Sequence, residues 1–144
     1  MKEVIATHIG SYGIIIKNNK IALIRKARGG YKGKLDLPGG GIEHNETPTE
    51  ALKRELMEEA GVKVVDYKLL DVVSKTFKWQ MEKDLIDDLH HIGILYTVDI
   101  KKEKLKEDPD GLDSEGANWY EIEALNEEEL SPFTYYALKI LGYK

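Results

Sequence analysis

Residues 37–64 read LPGGGIEHNETPTEALKRELMEEAGVKV, a run of three glycines followed by the start signals of a helix. Thr47 suits the N-cap, Pro48 suits the first helical position because its missing N–H is not needed there, and Glu50 completes a capping box. Gly61 can adopt the left-handed conformation that commonly ends a helix. The segment therefore predicts a short helix that begins at Pro48 and ends just before Gly61, directly after a glycine loop.

The predicted helix carries its acidic side chains on one side. At 100° per residue, with Glu55 at zero, Glu59 lies at about 40° and Glu58 at about 300°, so the three share an arc of about 100°. Leu52 and Leu56 lie on the face that should pack against a core. Like charges at this spacing repel each other, and a bound cation such as Mg²⁺ would relieve the repulsion. Acidic helix faces are also common as plain solvated surface, so these acids alone leave both interpretations open.

The spacing along the segment favours the metal-binding interpretation. In order, it contains Gly40, five residues, Glu46, seven residues, Arg54-Glu55-Leu56, one residue, Glu58-Glu59, one residue and Gly61-Val62. This pattern resembles the Nudix box, Gly-x5-Glu-x7-Arg-Glu-U-x-Glu-Glu-x-Gly-U with U an aliphatic residue, and every specified position matches. From average residue usage, a chance match is on the order of one in a billion per starting position.

The resemblance is to the Nudix hydrolase family, and within it to MutT-like small-nucleotide pyrophosphohydrolases. It implies an α+β fold, an α/β/α sandwich with a mixed β-sheet between helices. The order of the predicted strands and helices independently favours a sandwich of helices against a mixed sheet. The resemblance also implies hydrolysis of a nucleoside diphosphate linked to another moiety, with water as the nucleophile and a divalent metal, Mg²⁺ or Mn²⁺, as the cofactor.

The resemblance assigns the metal ligands within the box. Glu55 and Glu59 would be the principal ligands, and Glu58 would be a further ligand or a partner of metal-bound water. The backbone carbonyl of Gly39 or Gly40 would complete the set. Carboxylate and carbonyl oxygens are the ligands that a hard divalent cation requires.

The resemblance also assigns catalytic roles around these ligands. Arg54 would pair with Glu46 and orient the catalytic glutamates, which include Glu58 and Glu59. The general base would be one of the box glutamates or a glutamate on a distal loop, for which Glu115 is the best candidate. The alternative for Glu115 is a solvated acid in a turn.

Composition bounds the class of protein. The 144 residues suit one domain, residues 1–144, and their 42% hydrophobic and 33% charged content suits a soluble globular chain. No apolar run approaches 18 residues and no signal-peptide stretch is present, so a cytoplasmic location without membrane contact is the default expectation. The chain has no cysteine, which excludes disulfides and thiolate chemistry. A net charge of -5 makes nucleic acid an unlikely partner.

A hairpin and a basic loop are predicted ahead of the box. Residues 7–17 and 20–26 form the two strands of the hairpin, and Asn18-Asn19 forms its turn. Residues 25–34 then carry five positive charges, three glycines and no acid. We expect this loop to bind substrate phosphates. The candidate substrate-binding cations are Arg25, Arg28, Lys32 and Lys34. The alternative is a solvated basic loop.

Further elements are predicted after the box. The expected elements are a bent strand at 62–79, a connection at 82–88, a central strand at 90–100, a short strand at 119–122 and a helix at 133–141. The apolar stripe expected on this helix consists of Phe133, Tyr136, Ala137, Ile140 and Leu141. His90 and His91 should point to opposite faces of their strand, one packed and one exposed, which argues against a shared metal.

The substrate is less well defined than the reaction. Phe77 and Trp79 could stack a nucleobase, or they could be ordinary core aromatics of a strand. Residues 75–82 contain neither the proline of ADP-ribose-cleaving relatives nor the tyrosine of dinucleotide-cleaving relatives. A small nucleotide, such as a nucleoside triphosphate or a nucleoside diphosphate derivative, is the expected partner of a monomer or homodimer. The alternatives are an RNA 5′-pyrophosphohydrolase and a non-catalytic Nudix-like nucleotide-binding module.

Overall fold

The computed structural model describes all residues from Met1 to Lys144. In chain order the elements are β1 (Lys2–Ile14), β2 (Ile16–Lys17), β3 (Lys20–Lys26), β4 (Leu35–Asp36), β5 (Gly39–Gly41), α1 (Pro48–Ala60), β6 (Val64–Glu82), β7 (Leu85–Ile100), β8 (Ser114–Glu121) and α2 (Pro132–Ile140). Two single-turn 3₁₀ helices, Ile122–Ala124 and Glu127–Glu129, connect β8 to α2.

The strands form two four-stranded sheets. The sheet that contains the three longest strands, called the larger sheet below, has the order β5-β1-β7-β6. In it β1 and β7 are parallel, and the other pairs are antiparallel. In the second sheet, β3 pairs with β2, β4 and β8, all antiparallel. The expectation of a mixed sheet is therefore confirmed.

The two helices pack on opposite faces of β7, because adjacent residues of a strand point to opposite sides of its sheet. Leu56 of α1 shares a core cluster with Tyr96 and Val98. Leu95 lies in a different cluster with Phe133 of α2. The predicted α+β sandwich, with a mixed sheet between helices, is confirmed by this arrangement.

The hairpin before the box forms at the predicted turn, but the strand predicted at 7–17 is divided between β1, which begins at Lys2 and belongs to the larger sheet, and β2, which pairs with β3. Asn18 and Asn19 adopt positive φ values of 51° and 61°, as the two central residues of a type I′ turn require. The pairs Ile16–Ile21 and Lys17–Lys20 follow directly from this turn. Asparagine tolerates this left-handed backbone better than most residues, which explains why the pair marks the turn.

Two predicted boundaries were wrong. The segment at 82–88 is mostly strand, because β6 continues to Glu82 and β7 begins at Leu85, which leaves only Lys83 and Asp84 in the turn. Its acidic composition suggested a loop, but cross-strand pairing such as Trp79 with Asp87 overrides that local preference. The strand predicted at 119–122 begins earlier, at Ser114, and ends at Glu121.

The C-terminal helix forms, but its predicted apolar stripe was partly wrong. Tyr136 and Ile140 are exposed, whereas Thr134 and Leu138 are buried. The N-terminal end of the helix sets this rotation, because the buried hydroxyl of Thr134 donates to the carbonyl of Leu35 at 3.2 Å. A polar anchor of this kind cannot be recognised from hydrophobic periodicity.

The expectation for the two histidines was confirmed. His91 is buried and His90 is exposed, since they occupy adjacent positions of β7 and face opposite sides of the sheet. His91 therefore takes no part in a metal pair with His90.

The cap of α2 provides a test of the packing on its side of the sheet. Ser131 is buried, accepts a hydrogen bond from the backbone N–H of Thr134 at 3.4 Å and donates to Asp36 Oδ1 at 2.6 Å. Ser131→Ala should lower the free energy of unfolding by about 1–3 kcal/mol, because it removes an N-cap and leaves a buried carboxyl short of a donor. Urea unfolding would measure the change. Ser74→Ala, at an exposed serine, should change little, and equal losses in both variants would contradict the assignment.

Candidate active site

The glycine loop lies against the acidic side of α1. Gly39–Gly41 pairs with β1, with Gly40 opposite Ser11. A Cβ atom at Gly40 would lie 2.7 Å from the carboxyl carbon of Glu55. Gly39 has a positive φ of 146°. Gly39 therefore requires glycine for its backbone conformation, and at Gly40 a side chain would displace the Glu55 carboxyl group.

Helix α1 has the ends that its sequence predicts. Thr47 Oγ1 accepts from the N–H of Glu50 at 3.1 Å, and Glu50 Oε1 accepts from the N–H of Thr47 at 2.9 Å. Gly61 follows the last helical residue with φ 67°. These caps fix the start and the end of the helix, and therefore the direction in which its acidic residues point.

Arg54 ties the helix to the loop. Its Nε and Nη2 donate to the two carboxylate oxygens of Glu46 at 2.7 and 2.9 Å, and Nη2 also donates to the carbonyl of Gly41 at 3.0 Å. Nη1 donates to Glu55 at 2.8 Å and to Glu58 at 3.3 Å. The hydrogen bonds from Arg54 lower the pKa of Glu46 to about 2. The guanidinium thus contacts three of the box carboxylates and one loop carbonyl.

Glu59 differs from its neighbours because it is buried without a partner. Its side chain points into the protein, the residue is 7% exposed, and Oε2 has no hydrogen-bond partner. Burial raises the pKa of Glu59 to about 9. The positive charge of Lys26 opposes this shift, and the negative charges of Glu55 and Asp36 add to it. A buried carboxylate of this kind needs either a proton or a cation.

The other two acids of the helix lie in different surroundings. Glu55 is half-buried beside Gly40, and burial raises its pKa although Arg54 acts in the opposite direction. The side chain of Glu58 is 59% exposed at the edge of the site. Along one side of α1, the three predicted ligands therefore range from buried Glu59 through half-buried Glu55 to exposed Glu58.

The donor set fits a divalent cation. No three His, Cys, Asp or Glu side chains are already arranged as a metal cluster. However, the unpartnered oxygen of Glu59 lies on the same helix face as Glu55, which contacts Gly40 of the loop. Carboxylate and backbone oxygens are hard ligands, and a divalent cation would supply the charge that buried Glu59 lacks. Glu55, Glu58, Glu59 and the loop carbonyls are thus the residues able to hold such an ion.

A cavity of about 670 Å³ lies near this acidic site, since the charges of Lys26 and Asp36, which line it, act on the pKa of Glu59. Its wall includes Tyr31 of the basic loop and the side chains of Phe77, Trp79 and His91 from the larger sheet. Asp36 also lines the cavity and is buried, and burial raises its pKa although the Ser131 hydroxyl acts in the opposite direction. The size and the mixture of aromatic and polar groups suit an organic ligand.

The structure divides the predicted phosphate-binding cations into two groups. Arg28 lines the cavity and pairs with Asp113 at 2.5 Å. The other three point elsewhere: Arg25 donates to the carbonyl of Gly33 at 2.9 Å, Lys34 donates to the carbonyl of Glu128, and Lys32 is exposed. Of the cations predicted to bind substrate, Arg28 is therefore the one that the fold brings to the cavity.

Phe77 and Trp79 both line the cavity. The rings of Phe77 and Tyr31 stack with centroids 5.1 Å apart and an interplanar angle of 29°. Trp79 Nε1 donates to Asp87 Oδ2 at 3.1 Å, which fixes the indole ring. Both residues therefore lie at the wall of a cavity and outside the two core clusters, and their stacking on a nucleobase stays a prediction.

The structure also shows site residues that the sequence did not single out as ligand-binding. Lys26 lies in the basic run but was not distinguished from its neighbours, and it lines the cavity together with Asp36 and Asp113. The signal for Lys26 was its position at the end of β3, where the strand enters the loop. Nothing in the local sequence indicates that Asp36 or His91 would face a cavity.

Glu115 lies on β8 rather than in a turn and is exposed. Two other acids of the same region act near the site: Asp113 lines the cavity, and Asp110 adds to the rise in the pKa of Glu59. The role of Glu115 as general base stays a prediction.

Comparisons with known proteins agree with the architecture. The family model described as the NUDIX domain matches residues 7–139. The chain is 37% identical over 103 residues to an ADP-ribose pyrophosphatase of Methanocaldococcus jannaschii, covering 72% of this chain and 57% of that protein. It is 29% identical over 117 residues to an 8-oxo-dGTP diphosphatase of Escherichia coli, covering 81% of each. The chain thus spans little more than half the length of the first of these relatives.

Solved structures show the same fold. A MutT NUDIX hydrolase from Burkholderia pseudomallei superposes with a TM-score of 0.76 at 24% identity, covering 94% of this chain and 98% of that one. The NUDIX domain of Shewanella oneidensis NrtR, complexed with ADP ribose, superposes with a TM-score of 0.71 at 14% identity, covering 94% and 86%. The family model over residues 7–139 shows that the chain belongs to the Nudix family.

No helix of the structure is both long enough and apolar enough to span a membrane.

Substitution of Gly40 tests the contact between the loop and the helix. A methyl group at this position would meet the Glu55 carboxyl group and displace it. Gly40→Ala should therefore weaken the binding of Mg²⁺ by about 10–100-fold, as expected when the support of a metal ligand is lost. Isothermal titration with MgCl₂ would measure the affinity. In Gly41→Ala the nearest atom is Cε1 of the exposed His8 side chain at 3.0 Å, so this control should retain affinity; equal losses would contradict the assigned contact.

The buried carboxyl of Glu59 predicts a pH dependence of stability. Since its pKa rises from 4.5 to about 9 on folding, the folded chain keeps a proton that the unfolded chain releases. Stability without metal should therefore fall as the pH rises between these two values. Glu59→Gln should remove this slope and raise the melting temperature at pH 8 by about 2–8 °C.

Thermal unfolding in a chelator, measured from pH 5 to pH 9, would check this. Glu121→Gln, at an exposed acid, should keep the wild-type slope. A slope that persists in Glu59→Gln would show that another group carries it.

Proposed function

We propose that this protein is a divalent-metal-dependent pyrophosphohydrolase that cleaves a small nucleotide containing a nucleoside diphosphate linked to another moiety. The observation that carries the proposal is the buried, unpartnered oxygen of Glu59 on the acidic face of α1, beside a nucleotide-sized cavity. Membership of the Nudix family supports the same reaction class.

The acidic site would bind the diphosphate through a cation. Glu59 and Glu55 would hold Mg²⁺ or Mn²⁺, with Glu58 and the carbonyl of Gly39 or Gly40 as further ligands. When bound, the cation supplies charge neutralisation to the diphosphate and acidity to a water molecule. Arg54 keeps the carboxylates in place through its bonds to Glu46 and Glu55. This positioning role does not require contact with the substrate.

Proton removal from the attacking water needs a carboxylate that is ionised near neutral pH. Glu58 is a candidate for the base by its position, because it lies at the exposed edge of the acidic face, beside the proposed metal ligands. Glu59 without metal keeps its proton, since burial raises its pKa to about 9. It can act as a ligand or a base only after it loses that proton. Glu115 is kept as the alternative base.

The nucleoside would occupy the cavity. Lys26 and Arg28 place positive charge at its wall, where phosphate oxygens would enter the site. Trp79 offers an aromatic surface that the Asp87 carboxylate holds in one orientation. Stacking on such a surface is worth about 1–3 kcal/mol and is tolerant of base identity. The expected substrates are therefore nucleoside triphosphates or nucleoside diphosphate derivatives.

The named relatives differ in substrate, and include an ADP-ribose pyrophosphatase, 8-oxo-dGTP diphosphatases and RNA pyrophosphohydrolases. A small nucleotide fits best here, because the basic loop lies over the cavity through the contact of Tyr31 with Phe77. The cytoplasm is the expected compartment, since it contains both nucleotides and Mg²⁺.

A phosphate-release screen would identify the substrate. Nucleoside triphosphates, nucleotide sugars, dinucleotides, ADP-ribose and 5′-triphosphate RNA would each be incubated with the protein in MgCl₂, in MnCl₂ and in a chelator. We expect turnover of a small nucleotide that depends on the metal. Turnover restricted to RNA would support the RNA 5′-pyrophosphohydrolase alternative. No turnover of any substrate would favour the binding module.

Glu59→Gln tests the central residue. The variant keeps the shape of the side chain but cannot supply a negative charge, so turnover of the preferred substrate should fall by about 10²–10⁴-fold. Circular dichroism should show an unchanged fold. Glu121→Gln should retain wild-type turnover, because that side chain lies on β8 and is exposed. Near-normal metal-dependent turnover by Glu59→Gln would refute the assigned role.

A further inference from the structure

Three side chains form a hydrogen-bonded chain at the wall of the cavity. Tyr12 on β1 contacts His91 Nε2 through its hydroxyl at 2.7 Å. Tyr31 in the basic loop contacts His91 Nδ1 through its hydroxyl at 2.9 Å. Both ring nitrogens of His91 are therefore bonded to tyrosine hydroxyls. The metal-binding residues described above do not include any member of this chain.

The number of protons shared by Tyr12, His91 and Tyr31 limits how their hydrogen bonds can be directed. Burial lowers the pKa of His91 to about 3, and the neighbouring His8 and Lys26 act in the same direction, so the ring is neutral near pH 7. A neutral imidazole has one N–H donor and one acceptor nitrogen. One tyrosine must therefore donate to His91, and the other must accept from it. The accepting tyrosine keeps its own hydroxyl hydrogen available for another partner.

The surroundings of the two tyrosines decide which one donates. Tyr12 also lines the cavity, but it is 4% exposed whereas Tyr31 is half-buried, and its hydroxyl has no hydrogen-bond partner other than His91. If Tyr12 accepted, its hydroxyl hydrogen would be buried without an acceptor, which costs free energy. Tyr12 therefore donates to Nε2, and the proton of His91 resides on Nδ1. Tyr31 accepts from Nδ1–H.

Tyr31 is then left with an unused donor. Its hydroxyl has no partner other than His91, its side chain is half-buried, and it lines the cavity. Its ring is held in place by the stack on Phe77 and by its contact with the ring of His91, at a centroid distance of 5.5 Å. The hydroxyl oxygen therefore occupies a fixed position, and its hydrogen can turn about the C–O bond to meet an acceptor in the cavity.

We propose that Tyr31 is a specificity-determining residue, whose hydroxyl donates a hydrogen bond to an acceptor atom of the nucleobase in the cavity. The Tyr12–His91 pair holds that hydroxyl so that its hydrogen is directed away from His91 and toward the ligand. The nucleobase as occupant rests on the proposed function, but the proton arrangement does not. Bases that place a carbonyl oxygen or ring nitrogen at this position are favoured over bases that place an amino group there.

The tautomer of His91 can be measured directly. In ¹⁵N-labelled protein at pH 7, two-bond ¹H–¹⁵N correlation spectra distinguish a proton on Nδ1 from a proton on Nε2. We expect the Nδ1-protonated form, and assignment to the Nε2-protonated form would overturn the proposal. This measurement requires neither substrate nor turnover.

Binding of nucleotides tests the donor itself. AMP, GMP, CMP and UMP would each be titrated calorimetrically, without metal, into wild-type protein, Tyr31→Phe and Tyr135→Phe. Tyr31→Phe keeps the aromatic stack and removes only the hydroxyl. It should weaken binding of the preferred nucleotide by about 2–13-fold, the net effect of one hydrogen bond. Tyr135→Phe, in a tyrosine of α2 that packs against the core and does not line the cavity, should bind as the wild type does.

The outcomes separate this proposal from the proposed function. Unchanged affinity of Tyr31→Phe for all four nucleotides would overturn the role of Tyr31, whatever the turnover assay shows. Failure of the wild-type protein to bind any of the four would overturn it as well. A selective loss in Tyr31→Phe supports it, even if the phosphate-release screen finds no hydrolysis.

Discussion

The contact of Arg54 with the glycine loop is the constraint on which the acidic site depends. One guanidinium donates to both oxygens of Glu46, to Glu55 and to the carbonyl of Gly41, and so joins β5 to α1. An isolated surface ion pair contributes little to stability, but a bidentate pair in a network fixes geometry as well as charge. The Arg54 side chain is 24% exposed, so water competes with its partners only in part. The loop and the helix therefore act as one unit.

Stability and chemistry oppose each other at Glu59. A glutamate buried among the core residues of α1 is unfavourable in the protein alone, because no hydrogen bond reaches Oε2 and the positive charge of Lys26 offsets the effect of burial only in part. The same burial would make the residue a strong ligand for the proposed cation, since an ion bound there would meet little competition from water. Conflict of this kind between local preference and the fold is characteristic of functional sites. Arg54 cannot relieve it, because its donors are used by other acids.

Local sequence signals predicted helix α1 and the Asn18-Asn19 turn well. They predicted the features that depend on long-range strand pairing less well. The caps, the bounds of α1 and the Asn18-Asn19 turn depend on residues close in sequence, and all of them are present in the structure. The strand content of residues 85–88 depends on pairing with β6, which local composition does not report. The chain from Tyr12 to His91 joins residues 79 positions apart. Hydrophobic periodicity does not predict this contact, because the parallel pairing of β1 with β7 brings the two residues together.

Under the proposed function, the stack of Tyr31 on Phe77 would affect the residence time of a nucleotide in the cavity. Because Tyr31 covers one face of Phe77, a base in the cavity cannot be enclosed between two rings from β6 and gains a single stack, on Trp79. Each 1.4 kcal/mol of lost affinity is a tenfold change in the dissociation constant, and among related complexes most of that change lies in the rate of departure. If the proposed hydrolase binds its nucleotide here and releases the product through the same opening, a one-sided platform would shorten the residence time of the product. Under the proposed function, the aromatic pair would therefore favour rapid product release over tight retention.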